Sequence, residues 1–167
     1  HILSLTFTNK AAKEMKDRIQ DIVGAEAKNI WMGTFHSVFA KILRFESDKI
    51  GYPSNFTIYD TDDSKALLRR LIKEMSLDTD IYKVNVVQSR ISSFKINFVT
   101  VKAYNSNTEL KTQDDAAHRS QMGLLYDKYV NECFKSGAMD FDDLLLKTNE
   151  LMFRHPEVLH KLSLIHI

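Results

Sequence analysis

Residues 2–15, ILSLTFTNKAAKEM, predict a β-strand directly before an α-helix, the unit from which an α/β fold is built. Residues 2–7 alternate apolar and polar side chains of β-favouring types, which predicts a strand. Thr8 or Asn9 can then cap a helix whose apolar residues recur at steps of three and four. Those residues are Ala11, Ala12, Met15, Ile19, Ile22 and Val23.

The same pattern recurs at IWMGTFHS, residues 30–37. Residues 30–35 are predicted to form a second strand, after which Ser37 caps a helix that contains Val38, Phe39, Ile42 and Leu43. The order strand–helix–strand–helix is typical of an α/β fold with a parallel sheet.

The middle of the chain is predicted to be almost entirely helical. One helix starts at Asp60 or Thr61 after the extended residues 56–59, and others carry the apolar residues of 84–94, 122–134 and 144–152. The polar stretch 97–115 is predicted to be a loop. The chain closes on another β-rich apolar run, residues 162–167, for which a strand is expected.

Composition excludes several classes of protein. The 167 residues are 44% hydrophobic and 27% charged, enough for a folded core of one ordinary domain or two small ones. The single Cys excludes a disulfide framework and fits a reducing cytoplasm. No apolar run approaches the ~18 residues of a membrane span, so no membrane partner is expected.

Charge is distributed unevenly along the chain, although the net formal charge is only +1. Residues 1–45 hold seven basic and four acidic residues, a net of +3, and residues 64–111 hold nine and four, a net of +5. Residues 131–167 carry a net of −2, from four basic and six acidic residues. The two basic stretches are compatible with a polyanion-binding face or with ordinary solvated helix surfaces.

Two strand ends carry side chains suited to binding a nucleic-acid chain. At the first, Phe7 can stack on a base while Asn9 and free helix N–H groups suit a phosphate. At the second, Thr34, His36 and Ser37 offer hydroxyl and imidazole donors, so that the two ends together can form one groove floor. The alternative is structural, with an N-cap at Thr8 or Asn9 and Phe7 in the core.

Two clusters of carboxylates, DFDD at residues 140–143 and DTDD at residues 60–63, have two interpretations. Clustered carboxylates can hold Mg²⁺. Asp140 and Asp60 are equally well placed as helix caps, with the following carboxylates in a first turn that the helix dipole favours. We predict the structural role for both, and hence no metal site.

The sequence contains no complete catalytic motif. It has no G-x-x-x-x-G-K-[ST] phosphate loop, no nucleophile elbow, no His-Glu-x-x-His and no Cys pair. No apolar strand ends in an Asp-Glu pair. No catalytic or cofactor-binding residue is therefore predicted within the chain.

Four motifs together resemble the UvrD/PcrA/Rep-type superfamily-1 DNA helicases, in the family's order and over nearly the whole chain. LTFTNKAAKEM at 5–15 is similar to the motif that follows the family's phosphate loop, and TFHS at 34–37 to the next motif. FTIYDTDD at 56–63 resembles the entry to the helical insertion, and AMDFDDLL at 138–145 the return from it.

The resemblance implies a RecA-like α/β motor domain, here a partial parallel sheet interrupted by a large, mostly helical insertion. Residues 1–53 correspond to the motor, 54–130 to the insertion and 131–167 to the return. The phosphate loop and the Asp-Glu motif of the family are not found, and residues 163–167 do not match it. We therefore expect an internal fragment of a larger protein.

The function implied is ATP-driven 3′-to-5′ movement on single-stranded DNA, with duplex unwinding in replication or repair. By position, Phe7 stacks on a base, while Asn9, Thr34 and His36 contact the backbone with Ser37 as a possible helper. ATP and Mg²⁺ serve the parent protein, and neither is expected to bind this chain well.

The resemblance also implies partners. Single-stranded DNA and a duplex junction are expected, with the basic residues 64–111 leaning on the duplex ahead. Incomplete sheet edges leave apolar surface uncovered, so a homodimer or an exchange of elements between copies is expected for the isolated chain.

Two other functions fit the same residues. One is the motor of a RecB/AddA-type helicase-nuclease, which nuclease carboxylates elsewhere in the parent would reveal. The other is a non-catalytic helical interaction module on a helicase-like frame. A phosphate loop in the parent favours a motor over a scaffold.

The motif content generates a first prediction. The purified 167-residue chain should release no phosphate from ATP above a buffer control, with or without single-stranded DNA, because it has no phosphate loop. A colorimetric phosphate assay measures this, and sustained turnover that follows the protein through purification would contradict it.

Overall fold

A computed structural model describes residues 3–163 of the chain, which divide into two compact units. The first unit extends through Asn55 and resumes at Lys147; the second comprises Phe56–Leu146. Within the described residues, no helix combines the length and apolar character that crossing a membrane requires.

The first unit begins with the predicted strand–helix–strand–helix. These elements are β1 (Leu3–Thr6), α1 (Asn9–Val23), β2 (Trp31–Thr34) and α2 (Phe35–Phe45). The two strands pair in parallel, with Leu3 opposite Trp31 and Thr6 opposite Thr34. The α/β class predicted from the sequence is thus confirmed.

The helix caps of this unit agree with the sequence in one case and differ in the other. Thr8 caps α1, its Oγ1 accepting the N–H of Ala11 at 3.1 Å. The predicted cap of α2 at Ser37 is wrong: α2 starts at Phe35 and its cap is Thr34, whose Oγ1 accepts the N–H of Ser37 at 3.3 Å. Thr34 reaches this position because β2 runs directly into the helix, so its extended backbone already points the hydroxyl at the first turn.

The apolar face of α1 is only partly covered: Ala11, Ala12, Met15 and Ile19 are half-buried, while Ile22 and Val23 are exposed. None of its residues is buried, and Ile22 is 82% exposed. In contrast, α2 buries Val38, Ala40, Ile42 and Leu43. A partly covered amphipathic helix beside a two-stranded sheet is a surface that another element or another chain can cover.

An ion-pair cluster within the first unit joins its last helix to the residues that follow α2. Lys161, on α9 (Pro156–Ser163), places Nζ 2.7 Å from Oε1 of Glu46, and Lys49 Nζ lies 2.9 Å from Oε2. Hydrogen bonds from Lys161 and Lys49 hold the pKa of the buried Glu46 carboxyl below its usual value. Because α9 continues through Ser163, the strand expected from residue 162 is wrong at its first two residues; residues 164–167 lie outside the described part of the chain.

The second unit is helical around one small parallel sheet, β3 (Thr57–Tyr59) paired with β4 (Ala138–Asp140). Its helices are α3 (Thr61–Glu74), α4 (Val84–Ile96), α5 (Val101–Ser106), α6 (Thr108–Ala116), α7 (Met122–Lys135) and the start of α8 (Phe141–Arg154). Its apolar core joins α3, α4 and α7, with Leu68, Val87, Met122 and Leu125 fully buried.

The predicted loop at 97–115 is wrong, since this stretch contains α5 and most of α6. Thr100 and Asn107 cap the two helices. The buried Asp114 holds α6 in place by accepting from Arg90 Nε at 3.1 Å and from Tyr104 OH at 3.0 Å. The anchor is polar, so the apolar periodicity that reveals a helix in a sequence is weak here.

Lys95 is fully buried and connects α4 to the start of α8. Its Nζ lies 2.6 Å from Oδ2 of Asp140 and 2.8 Å from Oδ1 of Asp143, while Tyr129 OH donates to the same Asp140 oxygen at 2.8 Å. Burial alone would raise the pKa of Asp140, but the attraction and hydrogen bond of Lys95 lower it overall. Burial likewise opposes the charge of Lys95, and the two carboxylates raise its pKa overall.

This cluster generates a stability prediction. Lys95→Met leaves two buried carboxylates without their cation, which should reduce the free energy of unfolding at pH 7 by about 3–5 kcal/mol in urea titrations. Lys102→Met, at an exposed position, should change it by less than about 0.5 kcal/mol.

The pH dependence tests the same cluster. Because folding lowers the pKa of Asp140, its contribution is present above the unfolded pKa of about 3.9 and is lost as the pH falls through the folded value. In Lys95→Met the two buried carboxylates take up protons more readily as the pH falls. The deficit in its free energy of unfolding, relative to the original chain, should therefore shrink from pH 7 to pH 4.5. A deficit that stays constant over this range would contradict the assignment.

Candidate nucleic-acid interface

Both strands of the first unit end at the same edge, and each leads to a helix N-terminus. Thr6 lies opposite Thr34, so the next residues along the chain, Phe7 and Phe35, are neighbours as well. The carboxyl edge of a parallel sheet is where α/β proteins bind their ligands. The register therefore brings the two sequence-predicted segments side by side.

Phe7 lies on the surface and rests on a second ring. Its side chain is 87% exposed, and its ring centroid is 5.0 Å from that of Phe35 at an interplanar angle of 39°. Phe35 in turn contacts Phe39 edge-on, at 5.9 Å and 74°. We call Phe7, Phe35 and Phe39 the aromatic ledge; its outer ring is exposed to solvent, contrary to the alternative that placed Phe7 in the core.

Phe35 is the member of this ledge that the sequence analysis did not single out. It is half-buried and fixed at the start of α2. Two signals could have found it: its position one residue after the strand, like Phe7, and the four-residue spacing to Phe39, which puts both rings on one helix face.

Asn9 occupies the first position of α1 and is exposed. Because Thr8 serves as the cap, the Asn9 side chain is not required for that role. Its amide, which can both donate and accept hydrogen bonds, faces solvent at the helix N-terminus.

Thr34 and Ser37 are joined by a reciprocal pair of hydrogen bonds. Thr34 accepts the Ser37 N–H through Oγ1, and Ser37 Oγ donates to the Thr34 carbonyl at 2.8 Å. Thr34 is 8% exposed, whereas Ser37 is exposed. A Cβ at Gly33 would lie 2.6 Å from Ser37 Oγ, so the absence of a side chain there lets the hydroxyl fold back onto the strand.

His36 is half-buried in the first turn of α2, between Phe35 of the ledge and Ser37 of the hydrogen-bonded pair. The predicted site residues thus fall into two groups: the exposed Phe7 and Asn9 on the first strand end, and Thr34, His36 and Ser37 on the second. The contact of Phe7 with Phe35 links the two groups.

The electrostatics of this edge favour an anion. Neither α1 nor α2 has an acidic residue in its first turn, and α1 has an exposed Lys10 there, with the exposed Lys13 directly after it. Helix N-termini carry partial positive charge and free N–H groups, which attract phosphate. Lys41 lies further along α2, its Nζ 4.3 Å from the centre of the Trp31 ring.

The corresponding edge of the second unit has the opposite character. There Asp60 accepts the N–H groups of Asp62 and Asp63, and Asp63 accepts the N–H of Asp60. Asp140 and Asp143 form the same reciprocal cap at α8. The structural role predicted for both carboxylate clusters is confirmed, because capping and Lys95 engage these groups.

Comparison with known proteins agrees with this arrangement. The family described as "UvrD/REP helicase N-terminal domain" matches residues 1–164, so the chain belongs to that family. Among curated relatives, the ATP-dependent DNA helicase PcrA of Staphylococcus epidermidis (strain RP62A) is 38% identical over 177 residues, and PcrA of Staphylococcus aureus (strain Mu50) is 37% identical. Each match covers 100% of this chain and 23% of the relative, so the chain spans about a quarter of their length.

The cap of α2 generates a stability prediction. Thr34→Ala should lower the free energy of unfolding by about 1 kcal/mol, because the N–H of Ser37 loses its acceptor. Thr34→Ser keeps the hydroxyl and should lose less than half of that. Urea unfolding followed by circular dichroism measures both, and equal losses for the two variants would argue that the methyl group, not the cap, matters.

Proposed function

We propose that the whole protein is an ATP-dependent DNA helicase with a RecA-like motor, moving 3′ to 5′ along single-stranded DNA in replication or repair. In this proposal the aromatic ledge and the two helix N-termini beside it grip the tracked strand. The single observation that carries it is the contact of the 87%-exposed Phe7 with Phe35, beside two helices whose first turns contain no acidic residue. Family membership supports it, and so do the relatives that are named ATP-dependent DNA helicases.

Phe7 acts in this proposal as the stacking surface for one base. Contact with Phe35 restricts the Phe7 ring before DNA binds, so that less side-chain entropy is lost on binding. Stacking of a base on an aromatic side chain contributes about 1–3 kcal/mol and tolerates any base. A motor that must move along arbitrary sequence needs that tolerance.

The polar residues contact the sugar-phosphate backbone. Asn9 donates through its amide at the N-terminus of α1. Thr34 accepts from Ser37 with its oxygen and still has its own O–H to donate to a phosphate. His36 donates from an imidazole N–H.

Ser37 has a supporting role, because its hydroxyl proton is already committed to the Thr34 carbonyl. Its remaining capacity is to accept, which a phosphate cannot use. It therefore helps by fixing the orientation of Thr34 rather than by touching DNA.

ATP and Mg²⁺ belong to the whole protein in this proposal, and none of the described residues is assigned to them. The candidate carboxylates Asp140 and Asp143 are engaged by Lys95 and by the α8 cap. In residues 3–163, no group of three or more His, Cys, Asp or Glu side chains could hold a metal ion. The contribution of this chain is the grip on DNA, with the basic residues 64–111 leaning on the duplex junction.

The test is binding of the 167-residue chain to fluorescein-labelled oligo-dT, followed by anisotropy. Phe7→Ala should weaken binding about 5- to 160-fold, which corresponds to the ~1–3 kcal/mol of a stacked base. Phe7→Tyr should retain most of the affinity. Affinity should also fall steeply between 50 and 200 mM salt, since phosphate contacts release counterions.

A matched control is available on the same unit. Phe153 is 84% exposed, nearly as much as Phe7, and lies on α8. Phe153→Ala should leave oligo-dT binding unchanged. Equal losses for the two variants, or no salt-sensitive binding at all, would overturn the proposed grip.

A further inference from the structure

A second candidate surface is a groove of about 800 Å³ in the helical unit, where α3 ends and α4 begins. Its walls come from the last turns of α3, the first turn of α4 and the connection at residues 75–83, of which Asp78 and Asp80 do not line the groove. The lining residues are Arg69, Ile72, Lys73, Ser76, Leu77, Thr79, Tyr82, Lys83, Val84 and Asn85. We call it the α3–α4 groove.

The bottom of the α3–α4 groove is apolar. Ile72 and Tyr82 are 3% and 5% exposed and belong to the core, and Leu77 and Val84 are half-buried beside them. Tyr82 OH accepts the N–H of Gln121 at 3.0 Å, so its polar atom is already engaged. What remains accessible at the bottom suits a hydrophobic side chain.

The charged side chains of the lining are all cations: Arg69, Lys73 and Lys83. All three are exposed, and residues 3–163 provide none of them with an ion pair. The neighbouring Arg70 differs, since it pairs with Glu74 at 3.0 Å and with Glu132 at 2.9 Å. The three groove cations are therefore available to pair with the carboxylates of a ligand.

The start of α4 adds partial positive charge to the same place. Its N-cap, Lys83, makes no side-chain cap hydrogen bond, unlike Asp60 at α3. Lys83, Val84 and Asn85 all line the groove. A carboxylate placed here interacts favourably with the helix dipole as well as with the lysines.

We propose that the α3–α4 groove binds an acidic peptide segment of a partner protein. A hydrophobic side chain of the peptide fills the apolar bottom, and its carboxylates pair with Arg69, Lys73 and Lys83. Charge complementarity selects an acidic partner, and the apolar bottom favours a peptide over a nucleic-acid backbone, which has no apolar group to place there. This surface lies on the second unit, whereas the aromatic ledge lies on the first, and the proposal does not rest on the DNA grip. Its three cations are part of the basic stretch 64–111, but we assign these three to a peptide rather than to the duplex junction.

The test uses a fluorescein-labelled seven-residue peptide made of four Asp, two Leu and one Phe, titrated with the 167-residue chain. Saturable binding is expected, weakening at least tenfold in the double variant Lys73→Glu/Lys83→Glu. The control double variant Lys102→Glu/Lys128→Glu changes two exposed lysines of the same unit outside the groove, and it should bind within twofold of the original.

Two further probes distinguish an acidic peptide with hydrophobic side chains from a purely acidic peptide and from duplex DNA. A peptide of seven Asp, which has the charge but no hydrophobic side chain, should bind at least tenfold more weakly. An unlabelled DNA duplex should not displace the labelled peptide at concentrations at which it binds the chain. Displacement by duplex together with loss of duplex binding in Lys73→Glu/Lys83→Glu would identify the groove as a DNA contact and overturn the proposal, as would an absence of saturable peptide binding.

Retention of fold is checked by the circular dichroism and urea midpoint of each variant. The outcome is independent of the oligo-dT experiment, because Phe7→Ala should not alter peptide binding. Loss of peptide binding in Phe7→Ala would contradict the separation of the two surfaces.

Discussion

The arrangement of the first unit depends on the parallel pairing of β1 with β2. In a parallel pair both strands finish at one edge, so the two helix N-termini and the residues just before them are brought together. Phe7 and Phe35 are 28 positions apart in the chain and touch only because Thr6 lies opposite Thr34. A shift of one residue in the register would separate the rings and turn every side chain of the shifted strand to the opposite face.

The two units use the same local topology with opposite electrostatics. Each has two parallel strands that lead into two helices. In the second unit both helices are capped by reciprocal Asp pairs, which repel anions. In the first unit hydroxyls cap both helices, and at α1 lysines follow the cap. Topology alone therefore does not make a nucleic-acid interface; the residues chosen as caps decide which edge can accept a phosphate.

The sequence predicted those parts of the fold that depend on local pattern. The strand–helix alternation and the Asp caps follow from apolar periodicity and from short-range hydrogen bonding, both of which are visible within a few residues. The helices at 101–116 escaped prediction because they are short and held by the polar contacts of Asp114 with Arg90 and Tyr104, which are distant in sequence. The cap at Thr34 was missed because a strand that continues without a loop into a helix hides the boundary. The contact of Phe7 with Phe35 depends on the register of β1 against β2, which cannot be read from the sequence of either segment alone.

The burial of Lys95 changes how the charge of the helical unit acts at a distance. It is one of the nine basic residues in the stretch 64–111, yet its ammonium group is enclosed and neutralised by Asp140 and Asp143, which lie outside that stretch. Arg90 and Arg70 are likewise engaged by carboxylates. A polyanion that approaches this unit therefore meets a weaker positive electrostatic field than the number of basic residues in the stretch suggests. That field is concentrated at the cations that no carboxylate neutralises. The positions of those cations, rather than the net charge of the stretch, therefore govern how the unit attracts a polyanion from solution.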